Sequence, residues 1–265
     1  MILLTGTVSA CTAPSASLTT IDVELPPANG EFDYQLGGAY PPGDDVEVLS
    51  RDRTDEPDPG RYNICYVNGL QTQPDEARLW LDELPELLLR NSDGALVVDP
   101  EWPDEYVLDI STSSKRQQLA EIIGAWIDGC VDAGFQAVEI DNLDTFTRFP
   151  GLLDEDDAVR FAQLLSARAH SAGAAIGQKN TVELVDRRAE TGFDFAVVEQ
   201  CNEFIDEAHD ECGQFIAVYG DQVYIVEYRT DAFEAGCAAL PGVSIVLRDR
   251  DVSPPDEPEH VRRFC

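Results

Sequence analysis

The chain has 265 residues, of which 43% are hydrophobic, enough for one large core in a single domain. Lys and Arg total 18 against 51 Asp and Glu, a formal charge of −33. Such a surface repels nucleic acid and anionic membranes, which excludes nucleic-acid binding, and it favours a cationic ligand or a lineage whose proteins are all acidic.

The amino terminus reads as an export segment. An apolar stretch from Ile2 to Leu4 is followed by Val8-Ser9-Ala10-Cys11, which resembles a bacterial lipobox with Cys11 as the lipidated residue. The stretch is too short to span a bilayer, so contact with a membrane is expected only through that lipid. Residues 1–30 are therefore assigned to a signal or lipobox segment and a Thr, Ser, Ala and Pro-rich tether, and residues 31–265 to the folded domain, expected to be a secreted or cell-surface monomer. Without Cys11 six cysteines remain, an even number that suits disulfides in an exported chain. Spacing favours Cys201 with Cys212, then Cys237 with Cys265. No cysteine pair has zinc-site spacing, and no metal or cofactor is expected.

In chain order, Glu31–Gly38 reads as a first strand and Val46–Leu49 as a small strand or packed loop. Arg61–Val67 is a second clear strand, and Pro74–Leu89 has helical spacing interrupted by Pro85. Tyr106–Ile110 is expected as the third barrel strand. After cap candidates at Ser111–Ser114, the residues Leu119, Ile122, Ile123, Trp126, Ile127 and Cys130 recur every three or four positions and mark one buried helical stripe. Gly134–Asp144 holds the fourth strand, Asp154–Ala172 a helix with an acidic first turn, and Ala174–Gly177 the fifth strand. A helix from Val182 to about Glu190, a sixth strand at Phe193–Val198, a seventh at Val223–Tyr228, a short helix at Ala232–Ala239 and an eighth strand at Val243–Leu247 complete the series. Strands that alternate with helices and end in polar residues indicate an α/β fold, a (β/α)8 TIM barrel, with an open doubly wound sheet as the alternative. Neither a Gly-rich phosphate loop nor a GxSxG elbow occurs.

The strand carboxyl ends gather Gln35, Asn68, Asp109, Glu139, Asp141, Asn142, Lys179, Asn180, Glu199, Gln200 and Glu227, with Tyr34 and Tyr66 close in sequence. Carboxylate pairs beside amides and aromatics are what glycoside cleavage uses: one acid protonates the leaving oxygen, and a second carboxylate attacks the anomeric carbon or activates water. Strands four and six can aim two such groups at one point. A carbohydrate-binding barrel without turnover, and a glycosidase for another sugar, are the competing readings.

Seven motifs then match in order: FDYQLGG (32–38), ICYVNG (64–69), YVLDI (106–110), GFQAVEIDNLDTF (134–146), GQKN (177–180), FAVVEQC (195–201) and VEY (226–228). Together they resemble glycoside hydrolase family 114, the endo-α-1,4-polygalactosaminidases, over roughly Phe32–Tyr228. The resemblance implies a (β/α)8 barrel that cleaves α-1,4-linked galactosamine-containing polysaccharide. It places the two catalytic carboxylates at Asp141, in EIDN, and Glu199, in VEQC; of these, Asp141 is assigned as nucleophile and Glu199 as acid/base of a retaining mechanism. Gln35, Tyr34, Tyr66, Asp109, Glu139, Asn142, Lys179, Asn180, Gln200 and Glu227 are expected to bind substrate.

Overall fold

The computed structural model describes residues 23–205 and 209–265. Cys11 and the apolar stretch before it lie outside them. Nine strands form one sheet in sequence order: β1 (Phe32–Gln35), β2 (Val48–Asp52), β3 (Tyr62–Asn68), β4 (Ala137–Asp141), β5 (Ala175–Lys179), β6 (Phe195–Glu199), β7 (Val223–Glu227), β8 (Ser244–Arg248) and β9 (Arg262–Phe264). The first eight are parallel to their neighbours, and β9 runs antiparallel to β8. The ring meets between β8 and β1, where Ser244 Oγ donates to the Gly30 carbonyl at 2.8 Å and the fully buried Arg248 guanidinium lies 3.3 Å from Asp33. This is a TIM barrel of the (β/α)8 type.

One strand assignment is corrected. The second barrel strand is Val48–Asp52, and Tyr106–Ile110 is not in the barrel. That segment belongs to the long excursion between β3 and β4, where isolated antiparallel bridges join Gln71 to Val107, Leu88 to Leu108 and Val98 to Tyr106. A short apolar run bounded by turns looks the same in either place, and only its pairing partner separates the two. The same excursion breaks the expected 74–89 helix into single turns at Pro74–Glu76, Leu79–Glu83 and Pro85–Leu87.

Helices cross over from β3 onward: α1 (Ser113–Ala133), α2 (Thr145–Arg148), α3 (Glu155–Ala172), α4 (Arg188–Thr191), α5 (Glu211–Tyr219) and α6 (Thr230–Ala239). The connections from β1 to β2 and from β2 to β3 carry none. Helix α1 starts where the Thr112 hydroxyl accepts the Lys115 amide, and it ends at Gly134 in the left-handed region. Its buried stripe is the expected one, with Leu119, Ile123, Ile127 and Cys130 on the core. Residues 23–30, read from sequence as tether, reach the barrel: Tyr62 and Tyr224 donate their hydroxyls to the carbonyls of Glu24 and Pro27. Disulfides join Cys65 to Cys130, Cys201 to Cys212 and Cys237 to Cys265. The last ties β9 to α6.

Period-two alternation sorts the strand residues into two cores. Val138, Ile140, Ile176, Ala196, Val198, Ile225 and Ile245 pack outward with the helices. Ala137, Ala175, Phe195, Val197, Tyr224, Val226 and Val246 pack inside the barrel with Phe32 and Tyr34. On β4, β5 and β6 the inward positions continue as Glu139 and Asp141, Gly177 and Lys179, and Glu199. Gly177 is glycine because the Phe195 ring fills the space beside it: a Cβ there would come within 2.5 Å of that ring. Gly177→Ala is expected to destabilise the protein by about 1–3 kcal/mol, as overpacking of a tight core does, read as a lower urea midpoint with unchanged slope.

Candidate active site

The carboxyl ends of the strands open into a cavity of about 500 Å³, lined by Tyr34, Tyr66, Asp141, Asn142, Lys179, Asn180, Glu199 and Tyr228 among others. At its floor stands Lys179. Its ammonium, 2% exposed, lies 3.3 Å from Asp141 Oδ2 and 3.1 Å from Glu199 Oε2, with the rings of Tyr34 and Tyr66 at 5.6 and 5.7 Å. The order β4-β5-β6 produces this arrangement, because the strand that carries the lysine lies between the two that carry the carboxylates.

Asp141 also accepts from the Tyr66 hydroxyl at 2.8 Å and from the Asn142 amide at 2.7 Å. Burial pushes its carboxyl up, but the Lys179 charge and these donors outweigh burial and hold it below the usual aspartate range. Burial likewise opposes the charge on Lys179, yet the carboxylates of Asp141, Glu199 and Glu139 raise it and keep it protonated. Glu199 is bonded by Tyr228 Oη and by Asn180 Nδ2, and its own amide donates to Asn180 Oδ1 at 2.8 Å. The turns after the three strands begin with Asn142, Asn180 and Gln200, all at positive φ (63°, 47° and 60°). Asparagine tolerates that conformation better than most side chains.

The other sequence candidates fall in different places. Glu139 lies one inward layer below Asp141, fully buried, accepting from Tyr34 Oη at 2.9 Å, with Oε2 unpartnered. Burial pushes its carboxyl up to about 7. Gln35 faces away from the barrel axis, where it bonds Asp33, Arg51 and the Tyr40 amide. Asp109 sits outside the barrel and accepts from Ser111 and Lys115 at the start of α1. Glu227 takes an outward position and accepts from Asn202, and Gln200 bonds Glu203 and Arg250 on the surface. None of these five lines the cavity. Conversely, the cavity wall includes Tyr228, Glu105, Trp102, Asp144, Arg148 and Arg250, which were not among the sequence candidates. Tyr228 was legible: it continues the inward series Tyr224, Val226 of β7.

The chain matches the sequence profile of Glycoside-hydrolase family GH114 over residues 12–265. The chain belongs to this family. It is a glycoside hydrolase, and the family's barrel is the fold described above. Among solved structures, it is similar to Aspergillus fumigatus Ega3 in complex with galactosamine, with a TM-score of 0.71 and 21% identity over 92% of this chain and 98% of that one. It is also similar to the glycoside hydrolase domain of PelA from Pseudomonas aeruginosa (TM-score 0.55, 16% identity, 87% of this chain and 96% of that one). A third likeness is to TtGalA, the α-galactosidase from Thermus thermophilus in complex with p-nitrophenyl α-D-galactopyranoside (TM-score 0.53, 13% identity, 88% and 61%). At these identities the three likenesses are of fold. No curated protein sequence matches the chain.

Glu139 gives this GH114 barrel a pH-dependent stability. Its folded carboxyl holds a proton up to about pH 7, whereas an unfolded glutamate releases it near pH 4.3. The resulting stabilisation is complete below the unfolded value and is lost as pH rises through 7. Relative to Glu139→Gln, the native protein should therefore lose up to about 3 kcal/mol between pH 4.5 and 8, measured by urea unfolding at both ends of that range. Parallel curves would show that Glu139 does not change charge there.

Proposed function

We propose that this GH114 member hydrolyses α-1,4-linked galactosamine-containing polysaccharide with retention, using Asp141 as nucleophile and Glu199 as acid/base. The observation that carries the proposal is the single ammonium of Lys179 held between the two carboxylates. The two bridged oxygens can be no farther apart than those two contacts laid end to end. Two carboxylates that share one ammonium favour the ~5–5.5 Å carboxyl spacing of retaining enzymes over the wider ~6.5–9.5 Å spacing of inverting ones.

Asp141 takes the nucleophile's role because its surroundings keep it ionised: three donors converge on it and its carboxyl is held low. In the first step Asp141 attacks the anomeric carbon while a proton from Glu199 goes to the departing glycosidic oxygen. The bond to the leaving sugar breaks, and a glycosyl ester of Asp141 forms. Glu199, now a carboxylate, removes a proton from water, which displaces Asp141 and regenerates both groups. As charge leaves Asp141, Lys179 and Tyr228 face Glu199 and the developing charge around it.

The substrate class rests on electrostatics. Beyond the catalytic pair, Asp52, Glu101, Glu105, Asp144 and Asp251 line the cavity, in a chain of net charge −33. An amino sugar carries an ammonium that such a wall attracts, and galactosamine is the sugar in the Ega3 complex. Export fits the cysteines. The three disulfides use all six cysteines other than Cys11, which points to an oxidising compartment, with Cys11 as the site of a lipid anchor.

Reducing-end release from α-1,4-galactosamine oligomers tests the chemistry. Asp141→Asn and Glu199→Gln should each lower kcat by at least about a hundredfold, and full activity in either variant would remove that residue from the pair. Lys179→Met leaves Asp141 buried without its counter-charge, so the acidic limb of the kcat/KM profile should move to higher pH. An unmoved limb would show that Lys179 does not hold Asp141 ionised.

A further inference from the structure

Of the three tryptophans, Trp80 is fully buried and Trp126 packs edge-on against it at 6.1 Å, with the Arg53 guanidinium over its ring. Trp102 is different. It is 61% exposed, and it lines the same cavity as Asp141 and Glu199. An indole left in water beside a catalytic cleft forgoes the burial that usually places tryptophan. A core role does not account for it.

The turn that carries Trp102 is built to hold it still. Asp99, 1% exposed, accepts the amides of Glu101 at 2.8 Å and Trp102 at 3.3 Å through Oδ1. Across the turn, the Glu105 amide donates to the Trp102 carbonyl at 2.9 Å, and the Asp99 amide to the Glu105 carbonyl at 3.1 Å. The other Asp99 oxygen is bonded by Arg148. The same guanidinium donates to Asn142 Oδ1 at 2.9 Å and pairs with Asp144 at 2.8 Å. Asn142 in turn donates its amide to Asp141. A chain of charged and amide contacts therefore fixes the Trp102 turn relative to Asp141.

Glu105 closes the same turn and lines the same cavity. Its Oε2 accepts from Gln71 at 2.8 Å and from Asn68 at 3.2 Å. Glu101 lines the cavity as well. An aromatic face attracts the polarised C–H face of a sugar ring and a nearby ammonium, and a carboxylate at its edge completes recognition of an amino sugar. Resting on the amino-sugar reading of the substrate, we infer that Trp102, with Glu105, forms a second sugar subsite that stacks a residue of the chain next to the one being cleaved. The subsite makes cleavage depend on chain length. Its position on the β3–β4 excursion, outside the barrel strands, separates chain recognition from the chemistry.

The test uses the full chain with α-1,4-galactosamine oligomers of increasing length, comparing wild type, Trp102→Ala and Trp102→Phe. The ratio of kcat/KM on long oligomers to that on the shortest cleaved oligomer should fall about tenfold in Trp102→Ala, mostly through KM, and recover in large part in Trp102→Phe. Oligomer binding should also change the tryptophan emission of wild type, since Trp102 is the exposed indole, and Trp102→Phe should lose that change. Wild-type turnover with the same length ratio in Trp102→Ala, or an emission change that survives in Trp102→Phe, would overturn the subsite while leaving the catalytic reading intact. A wild type that neither cleaves these oligomers nor changes its emission with them would overturn both.

Discussion

A lysine ammonium buried to 2% exposure cannot stay charged without anionic partners, and the upper half of this barrel is arranged around that requirement. Lys179 meets Asp141 on one side and Glu199 on the other. The dependence is mutual. Without the cation between them, two carboxyls this close would favour a proton on one of the pair. Parallel strand order brings the three together from positions far apart in sequence, and the inward phase of each strand points them at one place. Below Lys179, the same phase brings Gly177, where the lack of a side chain admits the Phe195 ring. Charge above and aromatic packing below are consecutive steps of one alternation.

The rim of the cleft is held by short polar links. Each of the three site strands turns at its end through a residue at positive φ, and two of these residues, Asn142 and Asn180, bond the neighbouring carboxylate residue. Arg148 connects the turn after β4 to the excursion that precedes α1, through Asn142, Asp144 and Asp99. The barrel thus carries Asp141, Lys179 and Glu199 on its strands. The excursion adds Trp102 and Glu105 to the cavity wall. That division matches the general behaviour of barrel enzymes, in which strand ends hold chemistry and loops vary specificity.

The two ends of the chain need other devices, because the first crossovers lack helices and the ring meets at β8 and β1. Arg248 reaches Asp33 there, and Arg262 adds an ion pair with Glu31. β9 extends the sheet past β8 and is tied to α6 by the Cys237–Cys265 disulfide. Cys65–Cys130 fastens α1 to β3 across the long excursion. Covalent ties of this kind restrict the unfolded chain as well as the folded one, which suits a protein whose excursion makes its contacts outside the barrel ladder.

The sequence by itself determined the alternation of strands and helices, the α1 stripe and the motifs that hold Asp141, Lys179 and Glu199, and its cysteine spacing favoured two of the disulfide pairings, because each is a local pattern or a fixed spacing. It placed Tyr106–Ile110 in the barrel and left Val46–Leu49 as a small strand or packed loop, since both are short apolar runs and strand identity lies in the hydrogen-bonding partner. It could not separate residues that end a strand from residues that face the cleft. Gln35 and Glu227 share strand ends with Tyr34 and Tyr228, but a one-residue difference in phase sends them to the opposite face of the sheet. Asp109 carried a barrel-like motif and became a partner of Lys115 outside the barrel. Trp102 carried no periodic signal at all. Only tertiary structure decided that its turn would be pinned through Asp99 and Arg148 beside Asp141, because contacts between distant segments exist only once the ring has closed.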